Sequence, residues 1–385
     1  MTDRIDLGFV PLLDAGPLII AARMGFAAEE RLHLRLHPAR SWSALRDMLA
    51  SGHIAAAQML SAVPIAGRLG LGGAAVDFEA PLVLSLGGQI IGVSHDLAAA
   101  MRDAGHSPGF HDAFATRTAL RRARPSGLRF GVPFPFSMHT ELLHQWLGDE
   151  PGWRTVTVPP GRMPEALISG EIEAFCVGEP WGSYAVECAA AELILPGSAI
   201  WSAAPEKVLA LRGGWAEANP DLAGRLLRAV WRACRWLVQP DSLAAASDLL
   251  ARGDALNVDP EMIERALSGH LLLSRSGVTV DSPGFVNFHE GAANFPWRSQ
   301  AAWLGWHMGR RHGLDGTQAA EAAAACWRPD LFRQHLGADA VLPAASAKVE
   351  GANPLPVTAG ANRGTVLLGR NRFFDGRIFD LSAPA

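Results

Sequence analysis

Hydrophobic and polar positions along this chain follow two different periods, and the switches between them lay out its elements. Residues 4–11 read as a strand, and Asp14-Ala-Gly-Pro17 turns it into a helix ending near Gly25. Residues 32–36 alternate as a second strand. Ser41 is suited to cap a helix that runs to Ser51 and is closed by Gly52. Residues 54–59 form a third strand and 64–69 a short helix, so this spacing predicts a parallel doubly wound sheet. The pattern then restarts: strand 128–132, helix 138–147, strand 154–158, short helix 163–169 stopped by Gly170, and strand 172–177, apolar enough to be buried on both faces. Gly178-Glu179-Pro180 follows the carboxyl end of that strand, where open parallel sheets take their ligands. Pro180 suits the first turn of the next helix, 181–191.

One phrase occurs twice. Leu49-Ala-Ser-Gly-His-Ile-Ala-Ala56 and Leu167-Ile-Ser-Gly-Glu-Ile-Glu-Ala174 both read as helix end, Ser-Gly stop and Ile-led strand. They lie too far apart for a solenoid repeat and predict two similar α/β lobes facing each other across a cleft. Residues 81–94 read as paired strands around Gly87-Gly88-Gln89, a crossing into the second lobe. The chain returns through Pro205-Glu-Lys207 into strand 208–211 and is largely helical from Asp221 onward, with 221–238 the clearest amphipathic helix. The expected division is residues 1–90 with 201–385 as one lobe, carrying a C-terminal helical extension and tail, and 91–200 as the other.

Composition narrows the function. The chain has 385 residues, enough for two cores, and its 49% hydrophobic and 19% charged content is ordinary for a globular protein. A net charge of -4 gives no reason to expect nucleic acid or an anionic membrane as a direct partner. No apolar run is long enough to span a bilayer. Met1-Thr-Asp-Arg-Ile-Asp enters a strand without a basic and apolar leader, and Cys176, Cys188, Cys234 and Cys326 have neither zinc nor disulfide spacing. The expected address is cytoplasmic, with no metal and no cofactor.

Catalytic templates are missing. Gly67 to Gly73 (GRLGLGG) lacks the GK[ST] ending of a phosphate loop, and there is no G-x-S-x-G or HExxH string. His33 and His37 lie four apart on a strand, roughly 13 Å, too far for one metal. Arg117, Arg121, Arg122 and Arg124 read as the solvated end of a helix. The expectation is a binding protein and not an enzyme. What does emerge is a set of donors at loops beside strand or helix ends: the Trp42 indole, the Gln89 amide, the His139 imidazole, the Gly178 backbone N–H and the Lys207 ammonium. A small anion with several acceptor oxygens needs such a cage, because each oxygen taken from water must find a new donor. Lys207 supplies the only full positive charge of the set; Glu179 is expected to orient a neighbour or form a salt bridge and not to touch the ligand, with Asp14 in the same supporting role.

These residues lie in a family pattern. Asp14-Ala-Gly-Pro-Leu-Ile, Ala39-Arg-Ser-Trp42, Gly88-Gln-Ile, Ser137-Met-His139, Val158-Pro-Pro160, Ala174-Phe-Cys-Val-Gly-Glu-Pro-Trp181 and Pro205-Glu-Lys207 run in order along nearly the whole chain. The sequence resembles the nitrate- and bicarbonate-binding proteins of ABC transporters, and especially their cytoplasmic relatives, the NasS-type nitrate/nitrite sensors. The resemblance implies a type II periplasmic-binding-protein fold, with Trp42, Gln89, His139, Gly178 and Lys207 on its anion-binding positions. A lysine at 207 resembles the nitrate-type pattern, so nitrate or nitrite is the expected ligand. The implied role is a sensor that releases a NasT-type RNA-binding antiterminator when it binds its anion. The alternative is the substrate-binding component of a nitrate or related ABC transporter, and a thiamin-pyrimidine synthesis enzyme on the same fold ranks behind both.

Overall fold

The computed structural model describes residues 2–73, 76–110, 112–149 and 151–383. Ten strands build two sheets: β1 (Asp3–Phe9), β2 (Leu32–Pro38), β3 (Ala56–Leu60), β4 (Phe78–Gly87), β5 (Gln89–Val93), β6 (Leu128–Val132), β7 (Trp153–Thr157), β8 (Ala174–Gly178), β9 (Glu192–Pro196) and β10 (Pro205–Arg212). The first sheet has the order β4-β10-β3-β1-β2, with a short Val286–Asn287 strand outside β4; the second has the order β7-β6-β8-β5-β9.

Both sheets are mixed, which corrects the all-parallel expectation. β1 runs parallel to β2 and β3, and β6 runs parallel to β7 and β8. Next to each trio lies one strand that has just crossed from the other lobe and therefore runs the opposite way. β10 lies antiparallel to β3, and β5 antiparallel to β8. A second correction follows: β4 and β5, expected to pair, belong to different sheets. Gly87 and Gly88 between them both adopt positive φ, 68° and 85°, and a Cβ on Gly87 would stand 2.5 Å from the Phe285 carbonyl oxygen.

The repeated phrase folds the same way twice. Gly52 donates to the Leu49 carbonyl, and His53 and Ile54 donate to that of Met48. Gly170 donates to Leu167, and Glu171 and Ile172 donate to Ala166, in the same pattern. Gly52 and Gly170 have φ of 75° and 69°, and the last alanine of each phrase, Ala56 or Ala174, opens the central strand of its sheet.

The amphipathic helix expected over 221–238 is Pro220–Leu237, and it buries Leu226, Leu227, Val230, Cys234 and Leu237 in the first lobe's core. Burying each such aliphatic side chain stabilises the fold by roughly 1.5–3 kcal/mol. The arginines of the Ala113–Ala123 helix are not simply solvated: Arg117 and Arg121 donate to the Trp146 and Leu147 carbonyls at 3.0 and 2.5 Å, capping the Met138–Leu147 helix. In the tail, Phe373 is buried against Trp201 and Trp303. Residues 384 and 385, its last two, lie outside the described residues. Among the described residues no helix is long and apolar enough to cross a membrane.

Candidate ligand site between the lobes

Local sequence brings each expected residue to the junction of the lobes. Ser41 accepts the Ala44 amide at 3.1 Å and so starts the Trp42–Ala50 helix with Trp42 as its first residue. Ser137 does the same for Thr140 at 3.3 Å, leaving His139 in the first turn of Met138–Leu147. Gln89 opens β5 directly opposite Gly178, the last residue of β8. Lys207 sits in β10 opposite Leu60, at the matching end of β3. Both crossing strands thus deliver polar side chains to the same place.

That place is sealed. Gln89, His139 and Lys207 are fully buried, and Trp42 is 2% exposed. Lys207 Nζ lies 2.8 Å from Asp14 Oδ2, contacts Glu206 Oε1, and stands 5.2 Å from the centre of the Trp42 ring. Asp14 Oδ1 accepts the Gln58 amide at 2.5 Å, and Gln58 in turn accepts the Val10 N–H at 2.9 Å. Glu206 Oε2 accepts the Gln89 amide at 2.5 Å, and its Oε1 lies 3.4 Å from His139 Nε2. A Cβ on Gly178 would stand 2.8 Å from Leu12 Cδ2, so only glycine leaves the space beside Asp14 and His139 open.

Charges follow from burial and neighbours. Burial, reinforced by the Lys207 ammonium, holds the His139 imidazole neutral, far below the usual histidine range, although Asp14 pulls the other way. Burial alone would depress Lys207, but Asp14 and Glu206 raise it, so it stays charged. Burial pushes the Asp14 carboxyl up, Lys207 opposes this, and Glu206 adds to it. The Glu179 carboxyl is pushed up to about 7 by burial, against hydrogen bonds from Ser183. Its Oε2 accepts the Ser183 amide at 3.1 Å, while its backbone carbonyl accepts the Leu13 N–H at 2.8 Å across the lobes. A second strap joins the lobes where Trp181 Nε1 donates to the Pro11 carbonyl at 2.9 Å.

Several buried polar atoms in this cluster have no hydrogen-bond partner among the described residues: Trp42 Nε1, Gln89 Oε1 and both ring nitrogens of His139. Each such atom costs about 1–3 kcal/mol unless something satisfies it. They belong to side chains grouped around the Lys207 ammonium, and a small oxyanion is the kind of group that would meet the donors. Open surface cavities, such as one of about 450 Å³ beside Arg102 and His106, lie away from this cluster and lack its convergence of buried groups. No group of His, Cys, Asp or Glu among the described residues could hold a metal ion.

One central residue escaped the sequence reading. Glu206 adjoins Lys207, and neighbours on a regular strand face opposite ways. Here the register of β10 against β4 shifts on both sides of Lys207, and this irregularity turns both side chains into the cluster. The set is therefore not poor in acid: two carboxylates, Asp14 and Glu206, flank one ammonium. Gln58, which braces Asp14, was missed because nothing in its strand marks it as polar core.

A profile of the NMT1-like family matches residues 2–251. The nitrate import ATP-binding protein NrtC of Synechocystis sp. (strain ATCC 27184 / PCC 6803 / Kazusa) is 29% identical over 350 residues, 87% of this chain and 50% of that protein. The bicarbonate transport ATP-binding protein CmpC of Synechococcus elongatus (strain ATCC 33912 / PCC 7942 / FACHB-805) is 27% identical over 80% of this chain and 45% of that one. The chain thus spans about half the length of these curated relatives. The solved periplasmic nitrate-binding protein NrtA from Synechocystis PCC 6803 superposes with a TM-score of 0.83 at 25% identity, covering 99% of this chain and 96% of that one. The architecture is the type II periplasmic-binding-protein fold, two α/β lobes around a cleft. These relatives are named for ion binding, import and transport. The cytoplasmic NasS-type sensor reading is overturned, because the likeness is to transport proteins and includes a periplasmic receptor. The cytoplasmic address and the antiterminator partner fall with it. Both hung on the first few residues, which have no bearing on the chemistry of the cleft.

Proposed function

Because the chain belongs to the NMT1-like family, we propose that it is the substrate-binding component of an ABC importer, taking up nitrate, nitrite or a closely related oxyanion. The observation that carries this is the sealed cluster at the lobe junction, where Trp42 Nε1 and the His139 ring nitrogens lack partners around the single ammonium of Lys207. In this reading Trp42, Gln89, His139, Gly178 and Lys207 surround the anion, and Asp14 and Glu206 hold Lys207 in place. The likeness to the nitrate-binding protein NrtA supports the choice of ligand and an extracytoplasmic site of action.

Hydrogencarbonate is the second reading. It carries an O–H that needs an acceptor, and the buried Gln89 Oε1 is an acceptor without a partner. Calorimetric titration with nitrate, nitrite and bicarbonate in chloride-free buffer separates the two. Saturable binding of nitrate or nitrite without bicarbonate is the expected result, and the reverse would replace the main reading with the second. No heat with any of the three would remove the anion from the proposal.

A further inference from the structure

A different part of the molecule gathers positive charge without spending it on ion pairs. Arg370 and Arg372 flank Asn371 on an extended stretch of the tail and both line a cavity of about 350 Å³. Alternation puts Arg370 and Arg372 on one side and the buried Asn371 on the other, while Phe373, also buried, contributes to the cavity lining. The backbone between them is fixed. Asn371 Oδ1 accepts the Trp201 indole at 2.8 Å, Asn371 Nδ2 donates to Glu350 at 2.7 Å, and Phe373 lies against Trp201 with ring centres 4.9 Å apart. Among the described residues, neither arginine side chain has a hydrogen bond or ion pair. The one carboxylate lining the cavity, Asp112, spends an oxygen on the Phe114 and Ala115 amides at 2.8 and 3.0 Å.

We infer that this cavity is a second anion site, distinct from the central cluster and suited to a small organic dianion such as a dicarboxylate or a phosphate monoester. Two guanidinium forks on a fixed backbone match two oxyanion groups or one doubly charged one, and their planar geometry favours bidentate contacts. Phe110 and Phe374 supply an apolar wall for the ligand's carbon body, which inorganic phosphate alone would leave unused. The walls come from both halves of the molecule: the start of the Ala113–Ala123 helix, the stretch after β9 where the chain leaves the second sheet, Ser282–Pro283 and the tail. A ligand here touches parts that must shift if the lobes separate.

The test titrates the full chain with succinate, glycerol 3-phosphate and inorganic phosphate at low ionic strength. Saturable binding of at least one organic dianion is expected, with binding at least tenfold weaker in Arg370→Ala/Arg372→Ala and unchanged in His139→Ala. The Arg370→Lys/Arg372→Lys variant keeps the charge and controls for folding; partial retention is expected, because the fork geometry is lost. The inference is overturned if none of the probes binds the wild-type chain, if the double alanine variant binds as well as wild type while folded, or if His139→Ala abolishes binding. The last result would move the dianion to the central cluster.

Discussion

The two lobes share a turn bond for bond yet bring opposite kinds of chemistry to the cleft. The first contributes Trp42 and every formal charge of the cluster: Asp14, Glu206 and Lys207. The second contributes only neutral groups: Gln89, the uncharged His139 and the backbone at Gly178. Common architecture has therefore not imposed common electrostatics. Charge on one side attracts any anion of the right sign, whereas oriented neutral dipoles on the other discriminate by shape and acceptor position.

Removing the charge should have the largest effect. Lys207→Ala is expected to abolish nitrate binding and also to cost about 3–5 kcal/mol of stability, because it leaves Asp14 and Glu206 buried without a counter-charge. Urea unfolding beside calorimetry reads both. If the variant is as stable as wild type, the charge of the first lobe is not organised as described. His139→Ala, on the neutral side, should weaken binding by about 1.5–3 kcal/mol, the range for a hydrogen bond to a charged group, with little loss of stability. A stability loss as large as that of Lys207→Ala would erase the contrast between the lobes.

Proton linkage sharpens the comparison further. With His139 neutral, the cluster carries two carboxylates against one ammonium, and burial already raises Asp14. An added anion raises the proton affinity of Asp14 again, so the complex binds more protons than the free protein. Affinity should then rise as pH falls toward the range where Asp14 takes up its proton, by no more than about tenfold per unit. A flat profile would mean that the carboxylates keep their charges in the complex. A separate effect concerns Glu179, which lies outside the charge cluster. Its folded value near 7 exceeds the ordinary 4.5, so the folded state holds a proton that the unfolded state has lost, and stability falls as pH rises from 4.5 through 7. Glu179→Gln should therefore melt above wild type at pH 8, by up to about 3 kcal/mol, and show no such gain at pH 4.

Much of this was legible in the sequence for stated physical reasons. Apolar period marked the strands and helices of both trios, Ser-Gly stops marked the duplicated turn, and donor chemistry at element ends picked out five residues that lie at the junction of the lobes. Strand direction was not legible: periodicity is the same for parallel and antiparallel neighbours, so the reversal of β5 and β10 was invisible. Glu206 was hidden because alternation assigned it to the other face, and only a register irregularity cancels that rule. The arginines at 117 and 121 looked like a solvated helix end because their acceptors, the carbonyls of Trp146 and Leu147, belong to a different helix.

The Leu13–Glu179 and Trp181–Pro11 hydrogen bonds hold the lobes together over a cluster that solvent does not reach. On the proposed reading, a bound ion leaves only when both give way. Escape is then timed by the protein and not by the ion, so two anions of different affinity should share nearly the same ceiling on their departure rate. In stopped-flow mixing, that ceiling would appear as a plateau common to nitrate and nitrite, turning the cleft into a clock as well as a sieve.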